Sequence, residues 1–281
     1  MAIIDTHLHL VYRDPLRYPW IKDVPALQQD FSIDRYRVEA VRCGISDALH
    51  MEVDVDEADI EAETRNIKRL SGEPGSLLRG AISACRPESP DFPAFLERQL
   101  ADPFVKGFRR VLHVMPDDLS AQPAFRANIG RLKGSGRPFD LCVLPHQIDK
   151  ALTLADLCPD VQFVLDHCGV PDIKERKEHP WREGIVEIAR RPNVVVKISG
   201  VVAYADGGTW TVDDIRPYVE HSIESFGWDR VVWGSDWPVC TLTASLSIWI
   251  AATHAITQSC SNEERAKLMS GNARRVWRLP A

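Results

Sequence analysis

The sequence predicts an α/β protein built as a (β/α)8 (TIM) barrel. Short β-branched runs alternate about eight times with longer amphipathic stretches. Several of the runs, VQFVLD and VVVKIS among them, are almost continuously apolar at their starts, as strands covered on both faces by helices must be. No Gly/Ser linker or charge block divides the 281 residues, so residues 1–281 read as one domain. A doubly wound open sheet is the structural alternative, and it is weaker because no GxGxxG follows the first strand.

The predicted strands are 2–6, 45–50, 78–84, 105–112, 140–144, 161–166, 194–199 and 230–234. The predicted helices after the first connection are 56–70, 92–100, 121–132, 148–157, 182–190, 212–226, 245–257 and 262–275. The first of these, DEADIEAETRNIKRL, starts acidic and ends basic, which complements the helix dipole. The last opens on SNEE, a cap followed by acidic residues. One connection departs from the pattern. Residues 11–32 separate the first strand from the first helix and carry RYPWIKDVPAL, whereas βα loops usually run to roughly 2–6 residues. A loop that long and that apolar, with Trp20 between prolines, is expected to fold over the mouth of the barrel rather than to hang in solvent.

Composition excludes several classes. With 44% hydrophobic and 26% charged residues the chain can bury a full core. A formal charge of −6 argues against nucleic acid or an anionic membrane as partner. The N-terminus lacks a basic leader pattern, and no apolar stretch approaches the roughly 20 residues of a membrane span. The seven cysteines are scattered, with no CxxC pair, and read as reduced thiols of a cytoplasmic protein. The partner expected is a small-molecule substrate; a homo-oligomer is left open.

Three motifs carry chemistry. In DTHLH, His7 and His9 lie two residues apart at a strand end, so both imidazoles share one face. Such a pair can chelate a divalent cation or hold a carbonyl; the bland alternative is a hydrogen-bonded strand end. In LDHCG, His167 ends the sixth strand and Gly169 permits a sharp exit. In WGSDWPVC, Asp236 leaves the eighth strand, where a carboxylate is costly unless used or paired; capping the next helix is its structural alternative. Strands one, six and eight thus deliver three histidines and one aspartate to the end of a barrel where catalytic groups gather.

These residues resemble the amidohydrolase superfamily, and DTHLH, YPWI, KGFRRVLH, FDLCVLPHQ, VLDHCGVP, VKISG and GSDWPVC follow the order of its sugar-lactonase and pyrone-dicarboxylate lactonase branch, from Asp5 to GNARRVWRL at 271–279. The resemblance implies a metal-dependent-hydrolase type of barrel that opens a small lactone, a sugar lactone such as fucono- or rhamnonolactone first. It implies Asp236 as general base towards water and His7, His9 and His167 as the groups that polarise the carbonyl. It allows one divalent ion, zinc first, on His7, His9 and Asp236, with His146 a further candidate ligand, and equally a site without metal. Strand four ends RRVLH, without the lysine of two-metal members, so a binuclear centre is not expected; Lys197, inside VKISG, is no substitute by position. Substrate-binding candidates are Arg110, favoured over Arg109 by the resemblance, with His113, His146, Trp20 and Trp237; His50 and Glu52 are further lining candidates. A decarboxylase drawing on His146 and His167, a lactone isomerase or hydratase, and a non-catalytic sugar-acid-binding barrel are the competing readings.

Overall fold

A computed structural model describes residues 2–280. Eight strands form one parallel sheet in sequential order: β1 (Ile3–Leu8), β2 (Ile45–Met51), β3 (Leu78–Ala84), β4 (Val105–Val111), β5 (Phe139–Cys142), β6 (Phe163–Leu165), β7 (Val194–Ile198) and β8 (Val231–Trp233). The helices between them are α1 (Ile33–Arg42), α2 (Ile60–Ser71), α3 (Phe92–Leu100), α4 (Pro123–Gly130), α5 (Ile148–Leu157), α6 (Trp181–Ala189), α7 (Val212–Phe226) and α8 (Leu246–Ile256). The expected (β/α)8 arrangement is what forms.

The barrel closes between β8 and β1 largely through the residues that follow β8. Thr6 Oγ1 donates to the Trp233 carbonyl at 2.7 Å, Asp236 N to the His7 carbonyl at 2.8 Å, and His9 N to the Trp237 carbonyl at 2.8 Å. Asp5, fully buried, accepts from the backbone N–H groups of His7 (3.0 Å) and Ser235 (2.8 Å) and from the Tyr36 hydroxyl (2.7 Å). The aspartate of DTHLH is therefore a clamp that ties strand one to the segment carrying Asp236.

Side-chain alternation sorts the strands into an outer face under the helices and an inner face. Phe108 meets Phe95 of α3 and Phe139 meets Phe125 of α4 on the outside. Ile4, Leu49, Ile82, Val164, Val195 and Val232 form the inner layer. The predicted helix 262–275 is divided into α9 (Asn262–Ala266), a π-turn at Lys267–Gly271 and α10 (Asn272–Trp277). Its cap is the box expected of SNEE, with Ser261 Oγ accepting from Glu264 N at 3.2 Å. Ala273, Val276 and Trp277 of α10 pack on the inner layer, so the C-terminal helix plugs the end of the barrel away from the histidines.

Two strand ends differ from expectation. Residues 161–166 were expected to be one strand, but β6 stops at Leu165 and the chain turns through left-handed backbone at His167, Cys168, Gly169 and Val170, with φ of 55°, 53°, 73° and 50°. Asp236 lies three residues beyond β8, also at positive φ (58°). Both functional side chains sit on conformations that L-residues avoid, at a typical cost of about 1–3 kcal/mol each.

Residues 11–32 are ordered by two short 3-10 turns, Pro19–Asp23 and Pro25–Leu27. Reciprocal hydrogen bonds between Val11 and Phe31 close the loop at its base. Trp20 Nε1 donates to the Val53 carbonyl at 2.7 Å, and Arg17 pairs with Asp59 at 2.8 Å. Those contacts pin the loop to the β2–α2 connection. All seven cysteines are free, and no helix among the described residues is long and apolar enough to cross a membrane.

Candidate active site

His7, His9, His167 and Asp236 converge at one end of the barrel. The rings of His7 and His167 lie 4.4 Å apart and those of His7 and His9 4.9 Å apart, centre to centre. His9 Nε2 is 3.4 Å and His7 Nε2 3.7 Å from Asp236 Oδ1. A local irregularity places the pair. Ile4 faces inward and so does His7, a three-residue step that strict alternation forbids, and the register of β1 against β2 shifts between Asp5 and Leu8. Two glycines allow the close approach. A Cβ on Gly234 would lie 2.6 Å from the Cβ of His7, and one on Gly200, at φ 69°, would collide with the His167 ring.

Beneath the histidines lies a buried charge network. Lys197 Nζ sits 2.5 Å from Asp140 Oδ2, 2.9 Å from Asp166 Oδ1 and 3.2 Å from His7 Nδ1. Arg109 donates through Nε to Glu52 Oε1 at 2.6 Å and through Nη2 to the Glu52 carbonyl at 2.9 Å, and its Nη1 lies 3.3 Å from His7 Nε2. The same Nη1 is 3.4 Å from Asp166 Oδ2. All of these side chains are buried, so each charge is held by its partners or not at all. Burial pushes Asp140 up to about 7, with Lys197 opposing. Burial acts the same way on Asp166, but Lys197 and His7 overcome it and hold that carboxyl well below the usual range. Burial, reinforced by Lys197, keeps the His7 imidazole neutral far below its ordinary range. His167 is also lowered by burial, with Asp236 opposing.

The donor set fits one divalent cation. His9 Nδ1 lies 3.0 Å from the Met51 carbonyl, which can only accept, so the proton on that ring is committed to Nδ1. Nε2 is then left facing a carboxylate, and the pair calls for a shared positive charge. Ligand atoms bound tetrahedrally at about 2.0–2.1 Å stand about 3.3–3.4 Å apart, close to the separations observed between Asp236 and the two histidines. His7, His9 and Asp236 are the residues that would hold the ion, and Met51 and Asp166 are the partners that orient the two rings.

The cavity above this cluster measures about 190 Å³, and His9, Arg109, His113, His167, Asp236 and Trp20 all contribute to its wall. Five expected residues lie elsewhere or play another part. Arg110 points outward and pairs with Glu88 at 2.9 Å, because Phe108, two residues earlier on β4, already marks that face as the helix side; Arg109 is the inward arginine. Trp237 is buried between Phe31 and Tyr36, with ring centres 5.4 Å from each, and packs under the first loop. His146 is exposed on a neighbouring cleft and pairs with Asp117 at 3.2 Å; it joins neither the metal-type cluster nor His167 as the decarboxylase reading required. His50 does not line the cavity, and Glu52 is spent on Arg109. Asp166, Asp140, Ser199 and Tyr204 were missed. A lysine inside VVVKIS and an aspartate inside FDLCVL were the available signals, since a lone charge in a buried strand implies an opposite charge nearby.

A parallel barrel with a histidine pair on strand one and an aspartate past strand eight defines an amidohydrolase-type enzyme centre. The amidohydrolase family model matches residues 4–279, and the chain belongs to that family. It is similar to the L-fucono-1,5-lactonase of Burkholderia ambifaria, at 27% identity over 284 residues covering 98% of this chain and 95% of that protein. It also resembles the 4-sulfomuconolactone hydrolase of Rhizobium radiobacter, at 25% identity over 83% of this chain and 75% of that one. Among solved structures, an amidohydrolase of Burkholderia multivorans with bound zinc superposes with a TM-score of 0.89 at 25% identity, covering all of both chains.

Proposed function

We propose that this chain is a lactone hydrolase in which Asp236 is the general base. The observation that carries the reading is the convergence of the Asp236 carboxylate with His7, His9 and His167 on one cavity. Asp236 takes a proton from a water positioned above the lactone carbonyl, and the water oxygen bonds to the carbonyl carbon. Ser199 Oγ lies 2.9 Å from His167 Nδ1; with that hydroxyl donating, the ring proton sits on Nε2, where it can donate to the developing oxyanion. Collapse breaks the ring C–O bond, and the proton held by Asp236 goes to the leaving alkoxide, giving the open hydroxy acid. A divalent ion on His7, His9 and Asp236 would supply Lewis-acid polarisation of the carbonyl.

Relatives named as lactonases support the class, and on the strength of those names sugar aldono-1,4- and 1,5-lactones belong in the panel to be tested. The test is acid release from a lactone panel, with and without a chelator, alongside elemental analysis of the purified protein. Release from at least one lactone and no more than one tightly held divalent ion per chain are expected. Inactivity across the panel in metal-replete protein would refute the reading.

A further inference from the structure

Resting on the lactone-hydrolase reading, we propose that the substrate carries an alkyl or aryl substituent and few ring hydroxyls, and that this substituent runs from the histidine cavity into the adjoining cleft. The argument is an inventory of what the cavity wall can bond to. Besides the histidine–aspartate cluster, the apolar part of the wall is Val53, Val111, Val114 and Val239 with Trp20.

Several polar groups on that wall are already committed. The Trp20 indole N–H is spent on the Val53 carbonyl. His113 Nδ1 faces Cys142 Sγ at 3.1 Å, whereas Asp54 stands 3.6 Å from Arg86, outside hydrogen-bond distance. Arg109 gives its Nε, both Nη1 and one of its Nη2 N–H groups to Glu52, Asp166 and His7. Apart from the catalytic cluster, the Tyr204 hydroxyl, the far nitrogen of His113, the Asp54 carboxylate and the last Arg109 N–H are what remain for a ligand among the described residues lining the cavity.

A ring hydroxyl that faces the valines rather than one of these groups loses water without gaining a partner, and that costs binding energy. The cavity is also small, about 190 Å³. Tyr204 and His113 form its boundary with a second cleft of about 470 Å³, whose wall includes Leu144, Pro145, Val170 and Pro171. The ionisable groups at the rim of that cleft are paired with one another or with neighbours: Lys177 with Asp172 at 3.0 Å, His146 with Asp117 at 3.2 Å and His179 with Glu183 at 2.5 Å. An apolar substituent on the ring has somewhere to go, and a hydroxyl finds a partner on only part of the wall.

The experiment compares γ-butyrolactones bearing γ-methyl, γ-propyl and γ-pentyl groups with aldono-1,4-lactones on the wild-type protein. The expected result is a kcat/KM that rises about two- to fourfold per added methylene and exceeds that of the aldonolactones by about tenfold or more. Leu144→Gln should flatten the rise with chain length. A flat series, or aldonolactones as the better substrates, overturns the proposal while leaving lactone hydrolysis intact. If neither class is hydrolysed, the lactonase reading fails; calorimetric binding of the alkyl γ-hydroxy acids against aldonic acids then decides the shape of the cavity, with tighter aldonic-acid binding overturning the proposal.

Discussion

Asp236 and His113 show how single side chains take their roles from what surrounds them. No described residue donates a hydrogen bond to the Asp236 carboxylate: the histidine nitrogens that face it stand 3.4 and 3.7 Å away, and the group lines the cavity, where a water can reach it. Asp236→Asn keeps the shape and cannot accept a proton. A loss of about 10²–10⁴-fold in kcat is expected, with the circular dichroism spectrum and melting temperature retained. A folded variant with near-normal kcat would move the base elsewhere, to His167 first. His113 makes a different prediction. Burial, reinforced by Arg109, pushes its pKa down to about 4 from the ordinary 6.5. Between those values the unfolded chain binds a proton that the folded chain does not, so this group makes stability fall as pH drops from about 6.5 to about 4. Denaturant melts of wild type and His113→Gln should therefore diverge across that window, with the variant losing less on acidification.

At the scale of elements, the first loop and the turn after β6 do the positioning. Residues 11–32 are held by the Val11–Phe31 bridge and the Trp20–Val53 hydrogen bond, and this anchoring places the indole on the cavity wall. Trp20→Ala removes that wall and one anchor. It should lower kcat/KM for the best substrate by about tenfold, mostly through KM, since the lost contact is apolar and made in ground and transition states alike. An unchanged kcat/KM would show that the loop is only structural. The length and apolar content of the loop made this placement legible from sequence. The left-handed run from His167 to Val170 was not, because three of its four residues, His167, Cys168 and Val170, have side chains that disfavour positive φ.

At the scale of the whole molecule, the barrel carries a charged centre inside an apolar wall. Lys197 stands between Asp140 and Asp166 at 2.5 and 2.9 Å with no solvent exposure, above the α10 plug, where its Nζ lies 5.6 Å from the Trp277 ring. Breaking a buried pair strands its partner, at about 3–5 kcal/mol. Lys197→Met should lose about that much in denaturant unfolding, and Lys197→Met with Asp140→Asn should recover part of it by removing one stranded carboxylate. A single variant as stable as wild type would show that the network contributes nothing to the fold.

The β–α alternation, the strand order and the motifs at residues 5–9, 165–169 and 233–240 were legible in the amino-acid sequence, because periodicity and strand-end position are local properties of the chain. The same locality explains why Phe92–Leu100, Ile148–Leu157 and Val212–Phe226 fall where the apolar spacing puts them. Which arginine of β4 faces inward, where Trp237 and His146 point, and what Lys197 is for were decided by tertiary structure. Each depends on strand parity, on a register irregularity in β1 or on charges contributed by strands far apart in sequence. Asp140, Asp166 and Lys197 come from β5, from the turn after β6 and from β7, and only closure of the barrel, which removes their water, makes them a single electrostatic unit.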